Sequence, residues 1–244
     1  MKYGSATDKG LIRTNNEDCF SVVADADLLP CAFIVCDGMG GRRMGELASS
    51  IAVEYVSRRL MQYLPGRKDP EEVCEALHDI VEKANVKVYL GSLESEENKG
   101  MGTTLTIAVV LDGSLVVANV GDSRAYLLRG SSLMRITVDH TLVQELVDSG
   151  NITPEEARVH PKRHILTRAL GIPEFMSAEC FTVALSKGDR ILLCTDGLHG
   201  AADEEDIRSV LRRERTPDAA ARRLVELANR CGGEDNVTVI TAFL

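Results

Sequence analysis

Ala32-Phe33-Ile34-Val35-Cys36-Asp37-Gly38-Met39-Gly40-Gly41 is the stretch on which the reading of this chain turns. Five apolar residues, Ala32 to Cys36, read as a strand, and the run ends on an aspartate followed by a glycine-rich turn. The arrangement recurs. Asp196 ends the run Ile191–Cys194 and precedes Gly197, Asp122 follows a strand in Gly121-Asp122-Ser123-Arg124, and Asp235 precedes the last strand in Gly232-Gly233-Glu234-Asp235-Asn236. Asp18, with Glu17, opens another strand.

One Asp-Gly pair is ordinary turn chemistry. Five acidic positions at strand boundaries, most beside glycine, point instead to carboxylates converging at one end of a sheet assembly. Aspartates gathered in that way repel one another unless a cation neutralises them. Hard oxygen donors without a His or Cys pattern select magnesium or manganese rather than zinc. Glycine beside the aspartate lets the backbone approach closely, which makes a carbonyl available as a further ligand. Arg13, in Arg13-Thr14-Asn15-Asn16-Glu17-Asp18, carries a guanidinium that can hold two phosphate oxygens in a fork.

Outward from these positions, strand-like runs cover Phe20–Val23, Thr103–Leu111, Leu115–Val120, Ala125–Leu128, Cys180–Ala184 and Val237–Phe243. Asp112-Gly113 supplies a tight hairpin turn, and a second hairpin is expected around Arg129–Ser132. Helical periodicity marks Gly45–Tyr63, with Leu47, Ile51, Tyr55 and Leu60 as its expected buried stripe, and then Pro70–Leu90. Further helices are expected at Leu142–Ser149, Glu204–Arg213 and Pro217–Asn229, the last started by Thr216 as cap and Pro217. Strands and helices do not alternate strictly, so the pattern favours an α+β fold over a parallel doubly wound sheet. The segment from about 144 to 178 breaks the strand pattern and reads as an irregular flap with short helices of its own.

The 244 residues are 44% hydrophobic, enough for a full core, and a net charge of −9 argues against nucleic acid as a partner. Arg212, Arg213 and Arg215 read as a solvated helix face. No apolar stretch reaches the ~18 residues of a membrane span, and Met1-Lys2-Tyr3-Gly4 reads as a strand rather than a leader. The expectation is a soluble, cytoplasmic chain. Seven cysteines without a Cys-x-x-Cys pair, several of them (Cys31, Cys36, Cys194) within apolar runs, read as reduced buried thiols.

The ordered segments Arg13–Asp18, Asp37–Gly41, Met101–Thr104, Gly121–Arg124, Asp139–Thr141, Leu166–Gly171, Thr195–Leu198 and Gly232–Asn236 together resemble the metal-dependent protein phosphatases of the PPM (protein phosphatase 2C) type, in their bacterial single-domain form. The resemblance spans nearly the whole chain and implies one domain over residues 1–244, a four-layer αββα sandwich of two packed antiparallel sheets flanked by helices. It implies a centre of two Mn²⁺ or Mg²⁺ ions, with Asp37 bridging them, the Gly38 carbonyl on one, and Asp196 and Asp235 completing the second. Glu17 and Asp18 would lie at or just behind that shell. Asp122 with Asp196 matches a third, weaker site, and Arg13 matches the phosphate-binding arginine. The implied reaction is hydrolysis of phosphoserine and phosphothreonine in proteins by in-line attack of a metal-bridging hydroxide, on the substrates of a cognate serine/threonine kinase. A monomer is the default state.

One departure concerns Met39, which stands where eukaryotic members carry a histidine that donates a proton to the leaving oxygen. His140 is an alternative donor, although a structural histidine beside a turn suits its position better. Three rival readings stay open. Cys36 and Arg42 have the Cys-x5-Arg spacing of cysteine-dependent phosphatases, although Asp37 would repel a phosphate in that loop. The chain could also be a catalytically inactive phosphatase-like binding module. It could, finally, hydrolyse small phosphoesters, although it carries no P-loop motif for nucleotides.

Overall fold

The computed structural model describes residues 1–23, 30–40, 44–172 and 176–244. Strands β1 (Lys2–Asp8), β2 (Asp18–Val23) and β3 (Cys31–Met39) precede two long helices, α1 (Met44–Tyr63) and α2 (Pro70–Ser92). Then follow β4 (Gly102–Thr103), β5 (Leu105–Leu111), β6 (Ser114–Val120), β7 (Arg124–Arg129) and β8 (Ser132–Arg135). Two short helices, α3 (Leu142–Asp148) and α4 (Pro154–Val159), lead to β9 (Glu179–Ala184) and β10 (Arg190–Cys194). The chain ends with α5 (Asp196–His199), α6 (Glu204–Arg213), α7 (Pro217–Arg230) and β11 (Val237–Phe243).

The strands form two antiparallel sheets, one in the order β1-β11-β10-β7-β8, the other β2-β3-β5-β6-β9 with β4 paired to the end of β3. Successive side chains of a strand point to opposite faces, and here both faces are covered. Ala32, Ile34 and Cys36 of β3 pack under α1 and α2, while Phe33 and Val35 meet Leu127, Ile191, Leu193 and Ile240 of the other sheet. On that sheet Leu192, Cys194 and Val239 turn outward to α6 and α7, against Ile207, Leu211 and Leu224. Three apolar spaces between four layers explain why the central strands are apolar without alternation.

The expected elements appear with small shifts of their ends. Leu111 pairs with Ser114 across Asp112-Gly113, and Gly113 takes the positive φ (78°) that the turn needs. Thr216 accepts a hydrogen bond from the backbone N–H of Ala219 at 3.3 Å, capping α7 as expected. Arg212, Arg213 and Arg215 are exposed. The long run expected from Thr103 to Leu111 is interrupted at Thr104, whose hydroxyl and N–H both bond Asp37. The expected stripe on α1 is corrected. Leu47 is 37% exposed, and the face against the sheet is Ala48, Ala52, Val56 and Leu60, with Ile51 and Tyr55 half-buried beside it. Small side chains there let α1 lie close to β3, which turns the larger Leu47 outward.

Cys31, Cys36 and Cys194 are free and buried, in keeping with the sequence reading, but Cys74 of α2 and Cys180 of β9 are joined as a disulfide. The segment 144–178 carries α3 and α4 in its described part, the latter fixed by a capping box between Thr153 and Glu156. Among the described residues no helix is long and apolar enough to cross a membrane.

Candidate metal centre

Antiparallel pairing brings the ends of five strands to one side of the sandwich. Asp18 at the start of β2 lies opposite Asp37 near the end of β3. Cys194 at the end of β10 pairs with Val239 of β11 and with Arg124 at the start of β7. Asp196, Asp235 and Asp122, just beyond those strand ends, therefore arrive on the same side. They open into a cleft of about 920 Å³ whose wall includes Arg13, Glu17, Asp37, Gly38, Met39, Asp122, Asp196 and Asp235. Asp18 does not line it. Its carboxylate lies beneath, accepting a hydrogen bond from the Thr195 hydroxyl at 2.9 Å.

The backbone around Asp37 is clamped. Its N–H donates to Thr104 Oγ1 at 2.9 Å, and its carbonyl accepts from Thr104 N and Thr103 Oγ1, both at 2.9 Å. Thr104 Oγ1 also lies 2.8 Å from Ser123 Oγ, beside Asp122. Gly38 and Gly45 are glycines because two backbones meet there. A Cβ on Gly38 would run into the Gly45 carbonyl, and one on Gly45 would fall 2.6 Å from both the Gly38 carbonyl oxygen and Glu17 Oε2. Asn236 Oδ1 accepts from the Glu17 N–H at 2.8 Å, while its Nδ2 donates to the carbonyls of Lys9 (2.9 Å) and Asn15 (2.8 Å). One asparagine thus fixes the loop that carries Arg13 and Glu17. The Arg13 guanidinium stands half-exposed at the rim, 2.8 Å from Asp235 Oδ2.

The electrostatics follow from packing like charges into a buried end. Burial, reinforced by Asp18, Asp196, Asp122 and Asp235, pushes the Asp37 carboxyl well up. Burial together with Asp196 and Asp139 does the same to Asp122. Asp18 is raised by burial to about 7 in spite of hydrogen bonds from Thr238 and Thr195. Burial also raises Glu17 and Asp235. Asp196 differs: burial works upward on it too, but His164, His199 and a hydrogen bond with Asp37 outweigh that and hold it below the usual range. His164 Nδ1 is 3.8 Å from Asp196 Oδ2. His199 is buried, its pKa pushed down to about 4 by desolvation, and its Nε2 bonds the Asp122 carbonyl at 2.9 Å.

Two carboxylate oxygens, Asp18 Oδ1 and Asp196 Oδ1, are buried without a hydrogen-bond partner. An orphaned acceptor of that kind is costly, and the two together mark a place that a divalent cation would satisfy. The donor set is all oxygen, and it fits Mg²⁺ or Mn²⁺.

Other residues of the quoted motifs turn out to hold the frame. Arg124 grips Asp139 through Nε (2.9 Å) and Nη2 (2.6 Å). His140 is buried, accepts the Gly121 N–H on Nδ1 at 3.0 Å, and is absent from the cleft wall, so it is the structural histidine of the turn. Thr104, Thr195 and Asn236 lay within recognised segments without an assigned part. His164 and His199 gave no signal, because neither spacing nor pattern ties them to the aspartates. Cys36 is fully buried and its thiol is pushed well up by desolvation, the opposite of what a nucleophilic thiolate needs. Arg42, its partner in that reading, lies outside the described residues, as do Gly41 and Arg43.

The family model described as "Protein phosphatase 2C" matches residues 12–244. The serine/threonine phosphatase stp of Listeria monocytogenes serotype 4b (strain F2365) is 39% identical over 234 residues, covering 96% of this chain and 92% of its own. A solved S. agalactiae serine/threonine phosphatase superposes with a TM-score of 0.92 at 32% identity, over 100% of this chain and 99% of that one. The catalytic domain of the serine threonine protein phosphatase PstP, solved in complex with 2 manganese ions, superposes with a TM-score of 0.84 at 37% identity, over 98% and 96% of the two chains.

Proposed function

The chain belongs to the protein phosphatase 2C family, and from that premise we propose that it hydrolyses phosphoserine and phosphothreonine in proteins at two divalent ions held by the carboxylates of the cleft. The observation that supports this most is the convergence of Asp37, Asp122, Asp196 and Asp235 in one cleft, with buried carboxylate oxygens left unpartnered and Arg13 at the rim.

In this reading Asp37, the Gly38 carbonyl, Asp196 and Asp235, which share the cleft wall, would hold the two ions. Glu17 on the cleft wall and Asp18 beneath it would support that shell, and Asp122 with Asp196 would offer a third, weaker place. When bound, such ions would supply a hydroxide nucleophile near neutral pH and would draw charge off the phosphoryl oxygens. The protein supplies position. Thr103 and Thr104 fix the angle of Asp37, Thr195 restrains Asp18, and Asn236 holds the Arg13–Glu17 loop against the last strand. Arg13 keeps guanidinium nitrogens for the phosphate while one bonds Asp235. Met39 lines the cleft without a proton to give.

Manganese is favoured over magnesium because PstP was solved with it. The substrates are those of a cognate serine/threonine kinase, the enzyme acts as a cytoplasmic monomer of one domain, and the 144–178 flap, which contributes Arg163 and His164 to the cleft, tunes substrate choice. Acid quench during turnover of a phosphothreonine peptide tests the chemistry. Hydrolysis without a trapped phosphoenzyme is expected; a stable phosphoenzyme would overturn direct attack by water.

A further inference from the structure

A second set of metal-ligating groups gathers away from the acidic end. Cys74 and His78 are four residues apart on α2 and so share one face of the helix. That face meets Cys180 near the start of β9, an edge strand of its sheet. The ligand atoms of the three half-buried side chains all lie within 4.8 Å of one another. The Cys74 sulfur is 3.7 Å from His78 Nε2, and the other ring nitrogen, Nδ1, is 3.5 Å from the Ser177 hydroxyl.

The disulfide between Cys74 and Cys180 accounts for the two sulfurs, whose Cα atoms are 6.2 Å apart. It does not account for the imidazole turned onto them with its far nitrogen beside a hydroxyl. That orientation is how metal-binding histidines are held. Two thiolates and an imidazole form a soft set that selects zinc-class ions. Thiolate and imidazole ligands on one tetrahedral zinc are about 3.5 Å apart, close to the spacing already present between Cys74 and His78.

We propose that Cys74, His78 and Cys180, in the dithiol form, bind one Zn²⁺-class ion, with water in the fourth position. A small dithiol reductant converts the disulfide to two thiols and is itself oxidised to a cyclic disulfide. Binding then releases the two thiol protons to solvent. The ion fastens α2 to the strand by which the 144–178 segment rejoins the sheet. Asn85 of the same helix already grips that segment, donating to the Ile172 carbonyl at 3.0 Å and accepting from the Gly171 N–H at 2.8 Å. The site does not depend on the proposed phosphatase reaction.

The test is titration of the reduced full chain with Co²⁺ as a spectroscopic stand-in for Zn²⁺. One equivalent should raise a thiolate-to-cobalt charge-transfer band that Zn²⁺ bleaches. The band should vanish in Cys74→Ser and Cys180→Ser, weaken at least 10-fold in affinity in His78→Ala, and survive in Asp37→Asn. Unchanged Mn²⁺-dependent hydrolysis in His78→Ala would show that this variant is folded. No band in the reduced wild type, an equal band in Cys74→Ser, or undiminished affinity in His78→Ala would each overturn the proposal.

Discussion

The acidic cleft and the Cys74–His78–Cys180 cluster are built from the same operation, the gathering by packed elements of side chains that could hold a metal, yet they differ in what happens without one. In the cleft, folding forces carboxylates together beneath five strand ends, and the outcome is raised pKa values and orphaned oxygens. In the cluster, one helix face meets one edge strand, and the two sulfurs can satisfy each other covalently. The cleft therefore carries its strain as charge, which protons or cations relieve, whereas the cluster carries none that a disulfide leaves behind. Hard and soft donors placed apart in one chain give two sites that can be perturbed separately.

The sharpest break between them is Asp37→Asn, which removes the central carboxylate. Altering a group that only supports a ligand costs about 10–100-fold; loss of Asp37 itself is expected to exceed that in kcat/KM for a phosphothreonine peptide, with the cobalt–thiolate signal intact. Arg13→Ala should weaken kcat/KM by about 10–100-fold, corresponding to a charged hydrogen bond worth about 1.5–3 kcal/mol, with KM carrying most of the change. An unchanged kcat/KM in Arg13→Ala would place Arg13 elsewhere than on the phosphate.

The cleft's charge also sets a direction with pH. Asp18 has a folded pKa of about 7 against 3.8 for the free group, so the folded, metal-free protein holds a proton that the unfolded chain releases. Stability conferred by that proton is fully present below about pH 4 and is withdrawn as pH rises through about 7. Thermal melts in chelator should fall over that interval, and Mn²⁺ should cancel the trend. A chelated protein that gains stability over the same interval would contradict the charge account. The smallest effect is expected for Met39→His, which changes a cleft wall without touching a carboxylate and should keep activity of the same order.

Much of this was legible in the sequence because each carboxylate sits at a fixed offset from an apolar run, and runs report strands. Asp37, Asp196 and Asp235 were found that way. The motif order added Thr104 and Asn236, although not their work, since a hydroxyl that clamps a backbone looks like any strand threonine. His164 and His199 were illegible because their contacts with Asp196 and Asp122 cross from separate segments that no local pattern links. Cys74 and Cys180, 106 residues apart, were unreadable as a pair for the same reason. On α1, periodicity located the helix but misplaced Leu47, because the pattern cannot tell how closely a helix approaches its sheet.

The most direct test of the central claim is hydrolysis of a phosphothreonine peptide by chelator-stripped protein, with and without added Mn²⁺, in the wild type and in Cys36→Ala. The account predicts no turnover in chelator, recovery with Mn²⁺, and equal recovery in the two proteins. Turnover that persists in chelator and disappears with Cys36 would contradict it.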